Sequence, residues 1–196
     1  MASQRRIALF GGTFDPVHEG HLEIASKAIK KLDLESLVFI PCRQSPHKEK
    51  VPGASGPDRL KMLSLAVAAI PRAAVDNLEF RRPGPSYTWE TVAAIRDEFP
   101  EPEKLKLFLL IGEDQWRKLP TWKNPRYLAE KVEFIVVGRG EQPEPREGYR
   151  AHFIRGNHPA SSSEIRRQIH SGQQPDWLPE AVESYIAEKG LYSALP

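Results

Sequence analysis

Apolar residues along this chain fall into runs of two kinds. Unbroken runs over residues 6–10, 37–40, 105–111 and 132–137 read as buried strands, since a strand covered on both faces has no polar side to alternate with. Apolar positions spaced three or four apart read as helices: Leu22, Ala25, Ile29 and Leu32; then Leu60, Leu63, Val67 and Ile70, stopping before Pro71; then a segment over 88–99. A weaker strand is expected over 74–78 and a short one over 152–154. A last helix from Glu180 to Lys189 has Pro179 in its first turn and Gly190 after it, as helix scaffolds commonly do. The 18 prolines and 13 glycines fall mainly between these segments, and no repeat or low-complexity tract interrupts them.

Strands alternating with helices imply an α/β fold, a parallel sheet with helices on both faces. Such sheets bind ligands beyond the carboxyl ends of their strands, where strand order reverses, so residues just after strands carry extra weight. The 196 residues suffice for one domain over 1–196 with a real core. A charged content of 28% and a net charge of +2 are ordinary for a globular protein and disfavour nucleic acid as the main partner. A single cysteine, Cys42, allows no internal disulfide and no cysteine cluster for zinc. No targeting segment is visible, and no apolar run approaches the roughly 18 residues of a membrane span. Together these predict a cytoplasmic protein with no membrane partner.

The stretch GGTFDPVHEGH, residues 11–21, joins the first strand to the first helix. Gly11 and Gly12 let the backbone turn tightly and admit a bulky anion. His18 and His21 are three apart at a helix start, where free N–H groups and the helix dipole favour negative charge. A second helix start lies at Ala160-Ser161-Ser162-Ser163-Glu164-Ile165-Arg166. Ser161 with Glu164 spells a capping box. Ser162 and Arg166, four apart, share a face that offers hydroxyl, backbone N–H and guanidinium to a polyphosphate, with the Ser163 hydroxyl beside them. No Ser-His-Asp arrangement, cysteine nucleophile or metal cluster is suggested. Donors at two helix starts suit a reaction that holds phosphates in line and absorbs charge on a leaving group.

The first stretch resembles the HxGH signature of the nucleotidyltransferase superfamily, and the chain as a whole resembles the bacterial nicotinate-nucleotide adenylyltransferases. Pro46-His47-Lys48 matches the family's Pro-His-Lys, with Ser45 where a second proline is common. Tyr87-Thr88 matches its Tyr-Thr-x-x-Thr, Gly112-Glu113-Asp114 its Gly-x-Asp, and Trp122 its downstream Trp. Ala160-Ser161-Ser162-Ser163-Glu164-Ile165-Arg166 is similar to its Ile-Ser-Ser-Thr-x-Ile-Arg, with Ala160 for Ile and Ser163 for Thr.

The resemblance implies a Rossmann-like fold of the nucleotidyltransferase type and transfer of the adenylyl group of ATP to nicotinate mononucleotide. It implies His18, His21 and Arg166 as catalytic groups. For ATP it implies Gly11, Gly12, Thr13, Phe14, Gly112, Asp114, Ser162 and Ser163 with them. For the pyridine nucleotide it implies Lys48, Tyr87, Thr88, Trp122 and Arg139. Mg²⁺ is expected to arrive with ATP, held by phosphate and water. Read without the resemblance, Ser86 or Thr88 is a helix cap, Asp114 caps the next helix, and Trp116 or Trp122 is an ordinary core aromatic. Rival readings are another HxGH enzyme, acting on nicotinamide mononucleotide or phosphopantetheine, and a nucleotide-sensing module without catalysis. A homo-oligomer is compatible with the sequence, which fixes no stoichiometry.

Overall fold

The computed structural model describes residues 4–44, 52–138, 140 and 143–193. Six strands form one sheet: β1 (Arg5–Gly12), β2 (Ser36–Pro41), β3 (Ala73–Val75), β4 (Leu105–Gly112), β5 (Glu133–Gly138) and β6 (Ala151–Arg155). Their order is β3-β2-β1-β4-β5-β6 and every pairing is parallel. The helices are α1 (Glu19–Lys31), α2 (Gly56–Val67), α3 (Leu78–Arg81), α4 (Thr88–Glu98), α5 (Glu113–Lys118), α6 (Pro125–Lys131), α7 (Ser162–His170) and α8 (Glu180–Lys189).

The unbroken apolar runs bury on alternate faces. Ala8, Phe10, Leu37, Phe39, Phe108, Leu110, Ile135 and Val137 pack with residues of α1, α2 and α8. Leu9, Ile40, Leu107, Leu109, Ile111, Phe134 and Val136 pack on the other side, with Val92, Trp116 and Leu128. Each fully buried side chain of this size contributes about 1.5–3 kcal/mol, so neither face tolerates a polar alternation. The expected parallel sheet, covered on both faces, is the one observed.

Several local expectations need correction. The third strand stops at Val75, and Leu78 opens α3, with the Leu78 N–H donating to Asp76 Oδ1 at 2.8 Å. An aspartate that captures the following backbone turns the chain where a strand would continue. The second helix starts at Gly56, where the Ser55 hydroxyl accepts from the Asp58 N–H, and ends at Val67 rather than Ile70. Pro179 is the N-cap of α8 rather than part of its first turn. No helix among the described residues is long and apolar enough to cross a membrane.

Strand order reverses between β1 and β4. Their pairing runs from Arg5 opposite Leu105 to Phe10 opposite Leu110 and ends there, while Gly11 and Gly12 continue paired to Ile40 and Pro41 of β2. Beyond Phe10 and Leu110 the two central strands therefore open a crevice at their carboxyl ends.

Candidate active site

Two regions meet at this crevice. One is the loop from Thr13 into α1. His18 is its N-cap residue, in extended backbone (φ −147°, ψ 169°), and His21 lies three positions on. The His18 N–H donates to His21 Nδ1 at 3.3 Å, which puts the His21 ring proton on Nε2. The two rings stack with centroids 3.8 Å apart. His21 also meets the Phe14 and Phe10 rings, at 5.1 and 6.0 Å. Gly20 makes this crowding feasible, because a Cβ there would lie 3.2 Å from the His18 ring and 3.3 Å from His158 Nδ1.

His18 is buried, and its Nδ1 has no hydrogen-bond partner among the described residues. A buried polar atom left in this way suits a ligand donor or acceptor. Burial, and then the charge of His158, hold the His18 pKa at about 4 against an ordinary 6.5. The ring is therefore neutral at pH 7. The unfolded chain takes up this proton first as pH falls, so the stabilisation is complete above about pH 6.5 and is lost toward pH 4. Over that window wild type should lose up to about 1.4 kcal/mol per pH unit more than His18→Gln. Urea unfolding of both proteins at pH 7 and pH 5 checks this; equal losses would refute it.

The start of α7 closes the same region from the other side of the sequence. Ser162 Oγ donates to the Pro16 carbonyl at 2.9 Å, and Arg166 Nη1 donates to the Asp15 carbonyl. Ser162 and Arg166 thus share a face, as their spacing predicts, and that face lies against the His18 loop. The expected capping box is absent. Ser161 is the N-cap residue, but its hydroxyl lies 2.8 Å from Ser163 Oγ and Glu164 pairs with Arg167. A neighbouring hydroxyl and an exposed guanidinium outcompete the reciprocal cap here.

The second region is a cavity of about 200 Å³ under the open ends of β1 and β4. Gly11, Gly12, Thr13, Tyr87, Thr88, Gly112 and Trp122 all line it, so seven of the expected positions converge. A Cβ at Gly11 or Gly112 would point into open space, whereas one at Gly12 would strike the Phe14 ring at 2.8 Å. Phe14 itself is 2% exposed, packed on Phe10 and Phe39 at a φ of 49°. Its side chain is core, so only its backbone is placed to meet a nucleotide. Trp116 is likewise core, its Nε1 donating to the Glu144 carbonyl at 3.0 Å. Of these two tryptophans, Trp122 is the one in the cavity.

Asp114 lies exposed in the first turn of α5, whose N-cap is Gly112, so it caps nothing. Neither Ser86 nor Thr88 caps α4: the N-cap is Tyr87, and Ser86 Oγ accepts from the Arg43 N–H at 3.1 Å. Lys48 and Arg139, with His47, lie outside the described residues.

Other residues of the site were not expected from the sequence. Arg59 is 2% exposed, and its Nη1 donates to the Thr13 and Cys42 carbonyls at 2.8 Å each, joining the exits of β1 and β2. Glu79 lies in the cavity wall and accepts from Thr91 Oγ1 at 2.7 Å. Burial pushes its carboxyl up, against the hydrogen bonds of Thr91 and Ser86 and the charge of Arg82. Lys123 sets its ammonium 4.3 Å over the Tyr87 ring at the cavity rim. His158 accepts the Ala160 N–H on Nδ1 at 3.2 Å and meets Trp177 edge-on. Among the described residues no group of three or more His, Cys, Asp or Glu could hold a metal ion.

Comparison with known proteins bears on the fold and the family. Residues 9–168 match the cytidylyltransferase-like family model. A Thermus thermophilus protein named "Probable nicotinate-nucleotide adenylyltransferase" is 42% identical over 189 residues, covering 95% of this chain and 99% of its own. A Geobacillus thermodenitrificans protein of the same name is 40% identical, with 96% and 87% covered. The fold is shared with the Plasmodium falciparum nicotinic acid mononucleotide adenylyltransferase complexed with NaAD, at TM-score 0.79 and 17% identity over 96% of this chain and 98% of that one. The chain belongs to the nicotinate-nucleotide adenylyltransferase family.

Proposed function

We propose that this chain transfers the adenylyl group of ATP to nicotinate mononucleotide, releasing pyrophosphate and forming nicotinate adenine dinucleotide for NAD biosynthesis. The observation that carries the reading is the adjacency of two unlike regions. An aromatic cavity lies beside a turn rich in N–H donors, and Gly11 to Thr13 lead from one to the other. The cavity takes the pyridine ring on Trp122 and Tyr87. An N-alkylated pyridine is an electron-poor cation that an indole face attracts. The Lys123 ammonium at the rim complements a carboxylate better than an amide, which favours the acid over nicotinamide mononucleotide.

Catalysis is positioning and charge stabilisation. A mononucleotide phosphate oxygen attacks the α-phosphorus of ATP, and the bond from that phosphorus to the β-bridging oxygen breaks. The electron pair leaves with pyrophosphate, and no covalent enzyme intermediate is needed. His18 and His21 donate to phosphate oxygens at the attacked phosphorus, and His21 stabilises the charge built there. The Ser162 hydroxyl donates to the Pro16 carbonyl, so it is the backbone N–H groups at the start of α7, that of Ser162 among them, that hold the departing phosphates together with Arg166. Asp114 accepts from ribose hydroxyls, and Lys48 and Arg139 neutralise phosphate. Mg²⁺ carried on the ATP phosphates, with no side chain of this chain assigned to hold it, would offset phosphate charge. Chromatographic product analysis with competing acceptors tests the reading.

A further inference from the structure

We propose that Tyr192, which follows α8, is a positioning residue for Arg166 and that Asp15 transmits its effect. The inference rests on the assignment of Arg166 to the departing phosphates.

Asp15 is 5% exposed in the loop between β1 and α1. Its carboxylate accepts the Gly53 N–H at 2.7 Å on Oδ2 and the Ala54 N–H at 3.0 Å on Oδ1. The Tyr192 hydroxyl donates to the same Oδ1 at 2.8 Å. Arg166 Nη1 lies 3.7 Å from Oδ2 while donating to the Asp15 carbonyl. The buried carboxylate is thus satisfied by three close donors and only loosely paired with the guanidinium. A buried carboxylate that loses a donor leans on whatever cation remains. The Tyr192 hydroxyl therefore keeps Asp15 from drawing Arg166 into a tight ion pair, and leaves the guanidinium to phosphate.

Two further observations support the arrangement. Tyr192 is buried at a φ of 65°, a conformation that costs a tyrosine and persists only where the surroundings fix it. Burial and Asp15 both raise its phenol, so it stays a donor at working pH. Gly53 leaves room for both partners: a Cβ there would lie 3.2 Å from the Tyr192 ring and 3.4 Å from Arg166 Cδ.

Steady-state kinetics on the full chain test the proposal, with Tyr192→Phe, Arg166→Lys, the double variant and Gly53→Ala. Tyr192→Phe should raise KM for ATP and the inhibition constant for pyrophosphate about tenfold, the scale of one charge-assisted hydrogen bond. KM for nicotinate mononucleotide should stay within twofold. In the Arg166→Lys background the same change should add nothing. Gly53→Ala, which presses on both side chains, should move KM for ATP in the same direction, and it serves if Tyr192→Phe does not fold. A lowered melting temperature with both ATP-side constants within twofold of wild type would mark Tyr192 as a structural tie and overturn the proposal. Should Arg166→Lys itself move neither constant, the phosphate role of Arg166 fails and the proposal falls with it.

Discussion

His21→Ala should lower kcat by about 10² to 10³, equivalent to roughly 3–4 kcal/mol of barrier, while KM for ATP changes little. The expectation follows from how the ring is held. Its Nδ1 is engaged by the His18 N–H, and its faces meet His18, Phe14 and Phe10, so the proton-bearing Nε2 has one fixed direction. A donor fixed before substrate arrives needs no reorganisation as charge develops, and its contribution appears in the transition state rather than in ground-state binding. His21→Ala also removes packing, so calorimetric binding of ATP to the variant is the control. Retained binding with slow turnover supports the assignment. Turnover near wild type would remove His21 from the reacting atoms.

The second large effect belongs to the cavity. Trp122→Ala should raise KM for nicotinate mononucleotide about 30-fold, the equivalent of about 2 kcal/mol of desolvated cation–π attraction, and leave KM for ATP within about twofold. Trp122→Phe should recover most of the loss, since it retains an aromatic face. The selectivity is the informative part. Trp122 packs against the second apolar layer, and a merely destabilised protein would lose affinity for both substrates. Equal rises in the two KM values would therefore argue that Trp122 supports the fold and does not stack on the pyridine ring.

The legible parts of this protein share a physical cause. Strands buried on both faces must be apolar throughout, so β1, β2, β4 and β5 stand out in the sequence. The two donor-rich helix starts are legible because each is contiguous: His18 to His21 and Ser162 to Arg166 are brought together by one turn of helix. Short elements were less legible. Helices α3, α5 and α6 are too brief to show a period, and α3 forms because Asp76 captures the Leu78 N–H.

Residues joined only by tertiary contact left no local signal. Arg59 sits in an ordinary helical pattern that marks no partner, yet it is buried with its guanidinium on two loop carbonyls, those of Thr13 and Cys42. Asp15 lies inside the recognised motif, but its partner Tyr192 is 177 positions away. Phe14 shows what motif membership leaves open: its ring fills the space that Gly12 leaves, so any ligand contact there is made by backbone.

The central claim is that this site pairs ATP with nicotinate mononucleotide. The most direct measurement incubates the protein and Mg²⁺-ATP with equal concentrations of nicotinate mononucleotide, nicotinamide mononucleotide and phosphopantetheine, and resolves the products by chromatography. Nicotinate adenine dinucleotide should dominate, with one pyrophosphate released per dinucleotide formed. Product from phosphopantetheine alone, or ATP binding with no pyrophosphate released, would contradict the account.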